Sequence, residues 1–96
     1  MKIFITKGMD GRSIKTIDSN CQTTEDAFKK IYAWKDSEKN NGKYRICHYD
    51  RMIFNDKKHR IIVDFGDYSY FICVKCTKTE WADVEAWHSR PIDLEV

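Results

Sequence analysis

Arg60-Ile61-Ile62-Val63-Asp64-Phe65-Gly66-Asp67-Tyr68-Ser69-Tyr70-Phe71-Ile72-Cys73-Val74-Lys75-Cys76 is the stretch on which the fold turns. Two runs rich in β-branched and aromatic residues flank Gly66-Asp67, and that pattern predicts a β-hairpin. Side chains alternate across a strand, so Ile61, Val63 and Phe65 share one face of the first arm, and Arg60, Ile62 and Asp64 share the other. On the second arm Tyr68, Tyr70, Ile72, Val74 and Cys76 line one face. These arms are the expected centre of a sheet.

Working outward, Asn55-Asp56-Lys57-Lys58 reads as a turn into the hairpin from a strand over Met52-Ile53-Phe54, with a further strand expected over Lys43 to Tyr49 and a turn or bulge at Asp50-Arg51. Upstream, Thr23 or Thr24 can cap a helix running from about 24 to 38. Glu25 and Asp26 suit its first turn, and Ala27, Phe28, Ile31 and Trp34 fall on one stripe. Glu25 with Lys29 and Asp26 with Lys30 are expected i, i+4 pairs on its wet side. The start of the chain offers Lys2 to Thr6 and Arg12 to Ile17 as two strands around Asp10-Gly11. At the other end Thr79 is the expected cap of a short helix over Glu80 to His88, on which Trp81, Val84 and Trp87/His88 form the stripe, with a stop at Ser89-Arg90-Pro91; the alternation there also suits a strand. The fold class that follows is α+β: a mainly antiparallel sheet of about five to six strands, one long helix packed on one face, and a short C-terminal helix.

The 96 residues fit one domain, taken as 1–92, with 93–96 a tail. Leu94-Glu95-Val96 matches the opening of a common protease-cleavage tag, so this end is read either as a tag remnant or as native chain and no function is assigned to it. Apolar residues at 42% and charged residues at 33% are globular values. The 17 basic and 15 acidic residues leave a formal charge of +2, so attraction to polyanions has to come from local clustering. Only three consecutive apolar residues follow Lys2, too few for a signal core or a membrane span, and the expected location is the cytosol, with no membrane partner. The four cysteines are then expected as thiols.

Phe71-x-Cys73-x-x-Cys76 with His88 downstream resembles the opening of a Cys₂His₂ zinc finger, which implies Cys73, Cys76 and His88 as ligands and Cys47 or His48 as a fourth. Trp81 stands one position late for that finger's aromatic and no second histidine follows His88. Residues three apart on a strand also point to opposite faces, so no metal and no cofactor are expected. Cys47-His48 are strand neighbours facing opposite ways and make no thiol–imidazole pair. No phosphate-cradling glycine loop, His-Glu-x-x-His or Gly-x-Ser-x-Gly is present, and no enzymatic activity is expected.

Lys57-Lys58-His59-Arg60 is the densest basic cluster, followed by Tyr68 and Tyr70, a combination that suits phosphate neutralisation with base stacking. The order helix, three strands, helix over residues 24 to 88 looks like a double-stranded-RNA-binding domain, although Thr77-Lys78-Thr79-Glu80-Trp81 stands where that family has its basic motif. The strand from Gly66 to Val74 echoes the aromatic strand of RNA-recognition modules. In size and composition the chain is similar to the small Lys/Asn/Ile-rich proteins of bacteriophages and mobile elements, anti-CRISPR inhibitors among them. That resemblance implies a non-enzymatic inhibitor in the host cytosol, acting as monomer or homodimer on a host protein or ribonucleoprotein complex such as a defence nuclease. The alternative is a nucleic-acid-binding module. Thirteen aromatics in all supply candidate anchors, and the expected contact surface comprises Lys57, Lys58, Arg60, Tyr68 and Tyr70 with Trp81 and Trp87.

Overall fold

The computed structural model describes residues 1–8, 11–41, 51–64 and 70–89. The expected strand over 43–49, the Gly66-Asp67 turn, Tyr68 and the tail lie outside the described residues. The elements are β1 (Lys2–Lys7), β2 (Ser13–Asp18), α1 (Thr24–Asn41), β3 (Arg51–Asn55), β4 (Arg60–Asp64), β5 (Tyr70–Lys75) and α2 (Trp81–His88). The α+β class is as expected, and residues 81–88 are helix. Five strands form one antiparallel sheet in the order β2-β1-β5-β4-β3. The first strand thus pairs with the last: Lys2 to Lys7 run opposite Lys75 to Tyr70 in unbroken register.

Both helices cover one face of this sheet. Ile3, Ile5, Ile61, Val63, Ile72 and Val74 point into that layer together with Ala27, Phe28 and Ile31 of α1 and Trp81 and Val84 of α2. The α1 stripe is the one its spacing predicts, and each large side chain so buried is worth roughly 1.5–3 kcal/mol. Phe28 stacks on Trp87 with centroids 4.6 Å apart, and Phe54 of β3 stacks on His88 at 3.8 Å. These two contacts seat α2 between α1 and the β3 side of the sheet.

The opposite face is buried over its middle as well. Phe4, Ile62, Phe71 and Cys73 form a second cluster with Ile53 packed against it. The runs Ile3-Phe4-Ile5, Ile61-Ile62-Val63 and Phe71-Ile72-Cys73-Val74 are continuous because central strands hidden on both sides need apolar residues at every position. Asp64 is fully buried on this second face, and Arg51, its cross-strand neighbour, holds its carboxylate at 3.0 Å.

Helix termini are closed by side chains. Thr23 Oγ1 accepts from the Asp26 N–H at 3.1 Å, and Asp83 of α2 accepts from the Thr24 N–H at 2.6 Å, so one helix supplies a cap to the other. Glu80 is the N-cap residue of α2, and Thr77, not Thr79, closes the turn that leads into it. The Thr77 hydroxyl accepts from the Glu80 N–H at 3.2 Å while Glu80 Oε1 accepts from the Thr77 N–H at 2.9 Å, a reciprocal capping box. The Trp81 N–H then donates to the Thr77 carbonyl. Glu25 pairs with Lys29 as expected at 3.6 Å, whereas Lys30 bonds Asp18 of β2 in place of Asp26, which ties the helix to the sheet edge.

Candidate functional site

The register brings cations together that the sequence keeps far apart. Lys75 lies opposite Lys2 on β1 and opposite Arg60 on β4, giving a row of three positive side chains across adjacent strands on the face away from the helices. Lys2 also lies over the Phe4 ring, its Nζ 5.7 Å from the centroid. Arg60 Nε is buried without a hydrogen-bond partner. Like charges directly opposite each other on a sheet are destabilising, so this row is a cost to the fold.

The β3–β4 turn over residues 56–59 continues the same end of the sheet. The Lys58 N–H donates to Asn55 Oδ1 at 3.1 Å and His59 takes φ 48°, a left-handed conformation that folds the chain tightly back into Arg60. Lys57 and Lys58 are left exposed at its tip, and Lys78 is exposed after β5. Among the described residues six cations therefore gather at one end: Lys2, Lys57, Lys58, Arg60, Lys75 and Lys78.

Most carboxylates near that end are already engaged. Glu80 bonds the Met1 ammonium, which also donates to the Cys21 carbonyl at 2.7 Å. Burial alone would raise the Glu80 carboxyl, but the bonds from Met1 and Thr77 outweigh it and hold the group below the ordinary carboxylate value. The hydrogen bond from Lys30, with a second from the Asn20 N–H, holds Asp18 below its ordinary value too. Asp56, in the turn itself, is the carboxylate at this end that no described group engages.

Between the start of β1 and the end of β5 an open cleft of about 210 Å³ is lined by Lys2, Lys75, Ser19, Thr77, Glu80 and Met1, with Cys76 on its wall. Burial pushes the Cys76 thiol up to about 12, so it is neutral there near pH 7.

Of the expected aromatics, the three that are described, Tyr70, Trp81 and Trp87, do not join the basic half. Tyr70 opens β5, five residues and roughly 17 Å from Lys75, and packs against the core on the helix-covered face. Trp81 is 5% exposed, with its ring 5.5 Å from His59, and it serves the core; the expectation of an exposed anchor there misread a buried stripe position. Trp87 is half-buried on Phe28. Cys73 and Cys76 fall in separate clusters on the two sides of the sheet, as their spacing requires, and among the described residues no group of metal-binding side chains assembles. Lys2 and Lys75 were missed by sequence reasoning, since each is a lone lysine at a strand end and only the β1–β5 register makes them neighbours.

No helix among the described residues is long and apolar enough to cross a membrane. No protein-family model, curated protein or solved structure matches this chain.

Proposed function

We propose that this protein is a non-enzymatic binding protein that grips the phosphate backbone of nucleic acid through the cationic end of its sheet. The observation that carries the reading is the row Lys2–Lys75–Arg60, continued by Lys57 and Lys58 in the adjoining turn. The fold keeps like charges opposite one another here, and a line of phosphates compensates them. Among the described residues the aromatics beside the row, Phe4 and Phe71, are only 8% and 4% exposed and offer no stacking platform. What the row itself reads is backbone charge, which carries little preference for base sequence.

The same charge weighs on the inhibitor reading. An inhibitor that occupied the basic nucleic-acid channel of its target would present acidic groups there, so a cationic end suits an inhibitor only on another surface of the target. A cationic end is suited to the nucleic acid and not to the channel.

The test is binding of single-stranded oligonucleotides at several salt concentrations. Five phosphate contacts on a single strand give a log–log slope of about −3.5, a loss of roughly 100-fold between 50 and 200 mM salt. Replacing the exposed pair by Lys57→Gln and Lys58→Gln should leave the fold intact and flatten that slope by about 1.4. A salt-independent affinity, or no binding at low salt, would overturn the proposal. A stoichiometric protein partner that survives nuclease treatment would replace it with the inhibitor reading.

A further inference from the structure

Building on that reading, we infer that the cleft between β1 and β5 is a subsite for a phosphate monoester, the group found at a nucleic-acid 5′ end or on a mononucleotide. Its volume of about 210 Å³ lies below the roughly 300–1,000 Å³ of pockets that hold drug-sized ligands, and suits a headgroup. Charge selects which headgroup. Around the cleft the Met1 ammonium and the Glu80 carboxylate cancel in their ion pair, which leaves Lys2 and Lys75 as an excess of two positive charges. A monoester carries about −1.5 to −2 at pH 7, whereas a backbone diester carries about −1. The terminal group is thus the better match.

The neutral donors fit the same ligand. The Thr77 oxygen accepts from the Glu80 N–H, so its hydroxyl proton is free to point into the cleft. Ser19, an exposed residue, also lines the cleft. Lys2, Lys75, Ser19 and Thr77 all line the cleft, so two ammonium-bearing and two hydroxyl-bearing side chains stand within reach of a phosphate whose three terminal oxygens need several donors at once. The Cys76 thiol on the wall is neutral near pH 7 and adds no repulsion. A strand end seated here would lead its following phosphates along Lys75, Arg60 and the Lys57-Lys58 turn, which continues the row.

The experiment compares short single strands of one sequence, 3′-labelled, ending in a 5′-phosphate or a 5′-hydroxyl, with a nucleoside monophosphate and inorganic phosphate as competitors. The phosphorylated strand should bind at least about fivefold more tightly at neutral pH, as charge-assisted contacts are the strong ones. That preference should shrink at pH 5, where the monoester loses its second charge. Lys75→Gln and, independently, Lys2→Gln should abolish the preference, while Lys29→Gln on α1 leaves it unchanged. Equal affinity for the two strands would overturn the subsite and leave the backbone-binding reading standing. Binding of the monophosphate with no binding of either strand would keep the subsite and overturn the nucleic-acid reading. Binding of none of the probes would end both.

Discussion

Lys75 faces Lys2 on one neighbouring strand and Arg60 on the other, so Lys75→Thr relieves two like-charge pairs with a single exposed substitution. Directly opposed side chains start about 5 Å apart at Cβ, and charged heads that splay into water stand roughly 8 Å apart. At that separation the unscreened repulsion in water is about 0.5 kcal/mol per pair, hence about 1 kcal/mol for both. Screening scales this down to about 0.8 kcal/mol at 10 mM salt, about 0.4 at 150 mM and less than about 0.1 at 1 M. In a domain of this size the low-salt gain raises Tm by roughly 3–6 °C. Threonine's preference for strands adds a further gain that salt does not change, so the difference between low and high salt isolates the electrostatic part. The assay is denaturant unfolding of parent and variant across that salt range, with oligonucleotide affinity measured on the same samples. The expected outcome is a more stable protein that binds less well, the pattern of a site kept at the expense of stability. A variant less stable than the parent at 10 mM salt, or a gain that is the same at 10 mM and 1 M, would refute the cross-strand repulsion and with it the argument that this row serves a ligand.

Two further outcomes follow from the way the helices are tied down. Glu80, held below the ordinary carboxylate value of 4.5, contributes stability that is fully present above that pH and is lost as pH falls through the lowered folded value; Glu80→Gln should remove this part of the acid unfolding limb, as read by circular dichroism against pH. Asp83→Ala removes the carboxylate that accepts from the Thr24 N–H and should cost about 1 kcal/mol, a fall in Tm of roughly 4–8 °C, with oligonucleotide binding at low temperature unchanged.

How much of this was legible in the chain depends on the range over which each feature is encoded. The arms over 60–64 and 70–75 announce themselves because β-branched and aromatic residues crowd into short runs, and period-two alternation then assigns Ile61 and Val63 to one face and Ile62 and Asp64 to the other. The α1 stripe and the separation of Cys73 from Cys76 follow from periodicity in the same way. Choices between equivalent local partners are not encoded locally. Thr77 and Thr79 are the exception, because the three-residue spacing of a capping box in Thr77-Lys78-Thr79-Glu80 is itself a local signal for Thr77. Lys30 could reach Asp26 one turn away, yet Asp18 on the neighbouring strand takes it. Trp81 and Val84 stand three apart on the side of α2 that faces the sheet, so the burial of Trp81 was legible in that spacing and the aromatic count alone argued for exposure.

The candidate site shows the same limit in its sharpest form. A net charge of +2 suggests no polyanion partner, because it counts every acid against every base without regard to where each sits. The fold places its acids in structural duties: Asp64 holds Arg51, Asp18 holds Lys30, Glu80 holds the chain's first ammonium, and Asp83 closes α1. Asp64 and Asp18 each take up one basic side chain, but Glu80 and Asp83 are spent on a backbone ammonium and a backbone N–H, which leaves basic side chains in excess where β1, β4 and β5 meet. Charge segregation here is a product of helix capping and of the pairing of the first strand with the last. A chain with identical composition and a β1–β5 register shifted by two residues would keep the core alternation and lose the row, which is why the register, more than the number of lysines, defines what this surface can bind.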